Sequence, residues 1–181
     1  MKILHLGDLH LGKSVCDFNM IEDQKYMLEQ VLRTAGEQKA DAVLIAGVPS
    51  EEAVRLLDWF LRRLSETGME TFLISGNHDS EERLHFGSSL FETNRIHISA
   101  KYDGTIYRKE CRDQFGIVNV YLLPFIRASQ VRFFYPEESI ASYEDAVRAA
   151  LSHADIDPSQ RNILVAHQFV TGASRCESEE A

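Results

Sequence analysis

A chain of 181 residues with 44% hydrophobic side chains is long enough for one domain with a sizeable core, and no stretch of it reaches the ~20 consecutive apolar residues of a membrane span. Its formal net charge of -9 opposes the long-range attraction to polyphosphate that a basic nucleic-acid binder shows, except where carboxylates hold cations that reverse the charge locally. The cysteines Cys16, Cys111 and Cys176 are odd in number and far apart, so they form no metal pair or disulfide framework, and a reducing cytoplasm is the expected setting.

The opening MKILHLGD is too short and too polar for an export signal, and it predicts a first strand over residues 2–8. A helix follows over 20–38, with Met20, Met27, Val31 and Ala35 at helical spacing and Leu28 and Leu32 beside them. Residues 42–46, AVLIA, read as a short strand apolar on both faces, as when helices cover both sides. Gly47 breaks it, and a second helix is expected after Pro49. Ser50 is its N-cap, Glu51 and Glu52 sit in its first turn, Val54, Leu57, Phe60, Leu61 and Leu64 form its buried stripe, and Gly68 ends it. A third strand over 71–75 completes β-α-β-α-β, the pattern of a parallel sheet with right-handed crossovers. Next come a short helix over 81–92 and strands over 96–101, 105–111 and 117–123, with Asp103-Gly104 as a hairpin turn between the first two. A helix over 143–154 and a strand over 162–166 follow, and the chain stops in the acidic SRCESEEA, which reads as the start of a loop.

Ligands of open α/β sheets bind beyond the carboxyl ends of the strands, and three of these ends are loaded. The first carries Asp8-Leu9-His10 between Gly7 and Gly12. In extended chain, residues two apart share a side, so a carboxylate and an imidazole lie together as metal ligands. DxH alone is weak, since a turn Asp beside a surface His is common. The second end is Gly76-Asn77-His78-Asp79. The Asn amide oxygen is hard enough for Mn²⁺ or Mg²⁺, and His78 is placed to act as a general acid or to stabilise developing charge. Asp79 either caps the next helix, in a capping box with Glu82, or orients His78. The third end is Val165-Ala166-His167. Asp, His, Asn, His and His on separate strand tips suit a two-metal hydrolase with ions roughly 3.5–4 Å apart. Such a pair needs a bridging carboxylate, whose natural place is the tip between the first and third strands. That tip reads Ala46-Gly47-Val48.

GDLHLG, GNHD and AHQF, in this order and at these strand ends, resemble the calcineurin-like metallophosphoesterases, whose pattern is DxH, GDxxD, GNH, a lone His and GHxH. The flanking ILHLGDLHLGK, ISGNHDSEERLHFGSSL, VYLLPFIRASQVRFFYPEE and VAHQFVTGASRCESEE resemble the exonuclease subunits of bacterial SbcCD-type DNA-repair complexes over nearly the whole chain. The resemblance implies an α/β fold, the metallophosphoesterase βαβα sandwich of two mixed sheets flanked by helices. It implies that Asp8 and His10 bind a first metal and Asn77 and His167 a second, and that His78 is the catalytic His. It also implies Mn²⁺, with Mg²⁺ as the other candidate ion, DNA as substrate, an SbcC-type ATPase partner, and a homodimer within a heterotetramer, with no membrane.

The chain departs from the family pattern twice. Gly47 survives from GDxxD, but the bridging Asp and about six residues are missing before the pattern resumes at VPSEEAV. The chain also stops before GHxH and before any capping domain, so residues 1–181 read as an incomplete N-terminal nuclease domain. This chain by itself is expected to be inactive. Two other readings remain open, a phosphatase of small phosphoesters and a non-catalytic scaffold with a decayed metal site. His5, His85, His97 and His153 have no ligand-type spacing partner and are expected to be structural.

Overall fold

The computed structural model of the protein describes residues 1–16, 18–47, 53–77 and 92–168. From the N-terminus come β1 (Ile3–Gly7), the short strands β2 (Ser14–Val15) and β3 (Phe18–Asn19), helix α1 (Ile21–Glu37), β4 (Ala42–Ala46), α2 (Val54–Thr67), β5 (Glu70–Ile74) and β6 (Ile96–Ser99). The second half adds β7 (Tyr107–Asp113), β8 (Gly116–Leu123), α3 (Ala128–Phe134), α4 (Tyr143–Ser152) and β9 (Arg161–Ala166).

The strands make two sheets. One runs β1-β4-β5-β6, parallel throughout, with α1 crossing over before β4 and α2 between β4 and β5. The other runs β7-β8-β9, antiparallel between β7 and β8 and parallel between β8 and β9. Alternation along β4 and β5 explains why both faces are apolar. Val43, Ile45 and Leu73 pack on one side with Leu28 and Ala35 of α1 and Phe60 and Leu64 of α2. Ala42, Leu44, Phe72 and Ile74 pack on the other side against Val120, Leu122 and Val165 of the second sheet. Leu123, with Ile126, Val131, Ala146 and Ala149, forms a third cluster that joins the end of β8 to α3 and α4. The order of layers is helix, sheet, sheet, helix, the expected sandwich.

Helix α2 keeps its predicted stripe except at its start, where Leu56 is buried and Val54 is half exposed. Gly68 ends it at φ +73°, a conformation glycine adopts without a Cβ penalty. The predicted cap at Ser50, with Glu51 and Glu52, and all but the last residue of the helix predicted over 81–92 lie outside the described residues.

The strand pairing after residue 95 differs from the expectation. β6 does not pair with β7 around Asp103-Gly104 but closes the edge of the parallel sheet beside β5, while β7 pairs with β8 through a turn at Asp113–Gly116. The reason is local. The Asp103 carboxylate accepts the Thr105 N–H at 3.1 Å and the Thr105 hydroxyl at 2.9 Å, and Gly104 has φ +101°. This turn carries the chain from one sheet to the other instead of folding it back. A Cβ at Gly104 would lie 2.8 Å from Phe134 Cδ1, so α3 closes over the turn.

Two polar clusters tie the sheets together. His97 is 2% exposed, stacks on Phe72, and places Nε2 2.8 Å from Glu70 Oε2 and Nδ1 3.0 Å from the Tyr107 hydroxyl. Tyr107 donates to Glu92 at 3.0 Å, and burial first, then this bond, raises its pKa well above the ordinary tyrosine range. At the end of β7, Asp113 accepts from Arg161 of β9 and from the α-amino group of Met1, and the Arg161 bond, with that second donor, holds its carboxyl well below the usual carboxylate range. A depressed carboxylate contributes stability that is present above the unfolded-state value of about 4 and lost as pH falls through the folded one. Asp113→Asn is therefore expected to lower Tm at neutral pH and to flatten the loss of stability below about pH 4, as measured by thermal unfolding across pH.

The hydroxyl of Thr71, 0% exposed near the start of β5, has no hydrogen-bond partner among the described residues. Burying an unpaired hydroxyl is costly, and valine has the same shape without it. Thr71→Val is expected to stabilise the protein by about 1 kcal/mol, read as a higher midpoint in urea with an unchanged slope.

Candidate active site

The ends of the parallel strands stay in register beyond the ladders. The Asp8 N–H donates to Ala46 O at 3.0 Å, and the Gly47 N–H donates to Ile74 O at 3.2 Å. Two bonds bring the ends of β8 and β9 to the same edge: the Phe125 N–H donates to Ser75 O at 3.1 Å, and Gln168 Nε2 donates to Pro124 O at 2.8 Å. The carboxyl ends of strands from both sheets therefore meet at one edge.

Asp8 is the centre of what gathers there. Its Oδ1 lies 3.5 Å from His167 Nε2 and 4.0 Å from His10 Nε2. The Asp8 and His10 side chains are 65% and 51% exposed and His167 is 20% exposed, so the group opens to solvent on the Asp8 side and rests on the sandwich at His167. The bare tip of β4 faces the same two groups. Gly47 has φ +88°, and a Cβ there would sit 3.2 Å from His167 Cε1 and 3.5 Å from Asp8 Oδ1. Asn77 ends the described part of the neighbouring β5 tip. It is half-buried and makes no hydrogen bond among the described residues. His78 and Asp79 lie outside the described residues, as do Val48, His85 and Cys176.

The pairing of Asp8 with His10 arises differently from the sequence argument. Both residues have positive φ, 49° and 39°, so the segment is a tight turn rather than extended chain. Gln24 of α1 grips this turn. Its Oε1 accepts the Gly12 N–H at 2.7 Å, and its Nε2 donates to His10 O at 2.8 Å. Neither Gln24 nor Gln168 stands out in the sequence, because each acts on backbone groups and has no motif spacing. The structural expectation for two histidines holds: His97 lies in the buried cluster described above, and His153 stacks on Tyr135 and pairs with Glu138. His5 is exposed on β1.

One carboxylate oxygen between two imidazoles is a hard and borderline donor set that fits part of a divalent-metal site. Among the described residues no three His, Cys, Asp or Glu side chains close to metal-holding distance. Among the described residues, Gly47 at the β4 tip adds no side chain to the set.

The profile of the calcineurin-like phosphoesterases matches residues 1–181. The chain belongs to that family. This phosphoesterase is also 33% identical over 188 residues to the SbcD subunit of nuclease SbcCD from Staphylococcus epidermidis, covering 99% of this chain and 49% of the relative. It is 32% identical over 193 residues to the protein of the same name from Staphylococcus saprophyticus, with the same coverage. The chain spans about half the length of the curated relatives it matches. The first match runs over 188 residues against the 181 of this phosphoesterase, so at least seven matched positions have no counterpart here. The family is one of metal-dependent hydrolases of phosphoesters, and the donor set around Asp8 agrees with that chemistry.

Proposed function

We propose that residues 1–181 are the N-terminal nuclease domain of an SbcCD-type DNA nuclease that hydrolyses phosphodiester bonds with two Mn²⁺ ions, or Mg²⁺ in their place. The observation that carries this reading is the meeting of Asp8 from one sheet with His167 from the other at 3.5 Å, directly before the tip of β4. Asp8 and His10 would hold the first ion and Asn77 and His167 the second. Bound ions of this kind polarise a phosphoryl oxygen and lower the pKa of a bound water. His78 would donate a proton to the leaving oxygen or stabilise its charge, with Asp79 orienting the ring. In this reading the full-length protein acts on DNA in the cytoplasm with an SbcC-type ATPase, as a homodimer within a heterotetramer, in repair, recombination and replication. Its activities are double-strand exonuclease and single-strand endonuclease. Among the described residues no helix is long and apolar enough to cross a membrane.

The test uses the full-length protein with its ATPase partner and Mn²⁺, on duplex DNA ends and on a chromogenic phosphodiester. Cleavage of the DNA supports the reading, whereas turnover of the small ester alone assigns a small-substrate phosphoesterase. The bare tip at Gly47 favours a second reading for the chain as it stands, a scaffold whose metal site has decayed, which metal-dependent cleavage by the full-length protein would overturn.

A further inference from the structure

We propose that Gln24 is a positioning residue for the metal centre: its side-chain amide fixes the backbone turn that aims His10 at Asp8. The proposal rests on the metal-site reading above. The turn from Asp8 to Gly12 carries two non-glycine residues at positive φ, a conformation that persists only where the surroundings hold it. From the core side, Leu11 is 0% exposed and packs in the cluster that contains Leu28 of α1. From the open side, one amide does the rest. Its oxygen takes the Gly12 N–H at 2.7 Å and its nitrogen gives a proton to His10 O at 2.8 Å. The same carbonyl accepts the Lys13 N–H at 3.2 Å, so both of its lone pairs are engaged.

Only one orientation of the amide works. Rotated by half a turn, it would set N–H against N–H at Gly12 and oxygen against oxygen at His10. The amide is anchored in turn by the helix, because the Gln24 N–H donates to Met20 O at 2.8 Å in the first turn of α1. The backbone that follows the imidazole is thus clamped on both sides of Leu11, at His10 O and at the Gly12 N–H, by a rigid element that has no ligand of its own. Groups that orient a metal's ligands typically change metal affinity by roughly 10–100-fold when removed.

The experiment compares the wild-type chain with Gln24→Met, which keeps length and packing but loses both bonds, and with Gln24→Glu, which keeps the acceptor for Gly12. Mn²⁺ affinity is read from the free-ion electron paramagnetic resonance signal, Gly12 N–H protection from hydrogen exchange, and folding from thermal unfolding without metal. Gln24→Met is expected to weaken Mn²⁺ binding at least about tenfold and to speed exchange at Gly12, with little change in the metal-free Tm. Gln24→Glu is expected to restore protection and part of the affinity. Glu22→Gln, on the exposed start of the same helix, serves as the control and should match wild type. Wild-type Mn²⁺ affinity in Gln24→Met overturns the proposal, as does a loss of affinity that follows a fall in Tm. Unchanged exchange at Gly12 removes the clamp itself. A wild-type chain that binds no Mn²⁺ while Gly12 loses protection in Gln24→Met overturns the metal-site reading and leaves Gln24 a purely structural clamp.

Discussion

Val48→Asp is expected to raise Mn²⁺ affinity by roughly a hundredfold, because it puts a carboxylate immediately after Gly47. Two divalent ions a few ångströms apart repel strongly unless an anion lies between them. A single unit-charge contact at about 4 Å is worth roughly 4 kcal/mol at an effective dielectric constant of about 20. The unmodified chain has one carboxylate at the site among the described residues, Asp8, with its Oδ1 shared between His10 and His167. It should therefore show at most one weak Mn²⁺ site in calorimetry. The β4 tip is the right place for the missing charge, since a Cβ at Gly47 would already be within 3.5 Å of Asp8 Oδ1. Glycine itself cannot be the site of the repair. Its φ of +88° strains any side chain, and a side chain there would crowd His167. Two tight sites in the unmodified chain would refute this account of the tip.

In the full-length protein with its partner, His78→Ala is expected to lower DNA cleavage by about 10²–10⁴-fold, the usual contribution of a positioned acid or base, while Mn²⁺ binding stays near wild type. The separation of the two effects is the point. Loss of both would make His78 a ligand, and loss of neither would remove it from the chemistry. Asp8→Asn is the complementary change and should weaken the metal before it touches anything else.

Periodicity located every long element among the described residues. Parallel strands buried on both faces read as continuous apolar runs, and AVLIA is such a strand, but helices cover it on one side only, where α1 and α2 lie; the second sheet covers the other, because an apolar run does not tell a helix from a sheet as its neighbour. Elements made by short-range polar chemistry were harder to read. The β2–β3 ribbon has two residues per strand, too few for an alternation to show. Helix α3 has seven residues and exposes Phe133, so its pattern is not cleanly amphipathic. The hairpin expected at Asp103-Gly104 failed because a turn signal marks a change of direction without naming the strand that follows. The meeting of Asp8, His10 and His167 at one edge was legible because each follows a strand of the predicted parallel pattern. The backbone clamp of Gln24 was not, because any long side chain with a donor and an acceptor reads alike until a loop comes within its reach.

Asp8 and His167 are carried by different sheets, so no local loop sets the 3.5 Å between them. Their separation is a matter of how one sheet is aligned on the other. That alignment is pinned between the sheets by Glu70, His97 and Tyr107, and near the tips by Phe125 on Ser75. A strand rises about 3.3 Å per residue, so a slip of a single residue between the sheets would carry His167 away from Asp8 by as much as their whole separation. The buried imidazole of His97 thus works as a dowel, and loosening it would be felt at the strand tips as lost aim rather than lost fold.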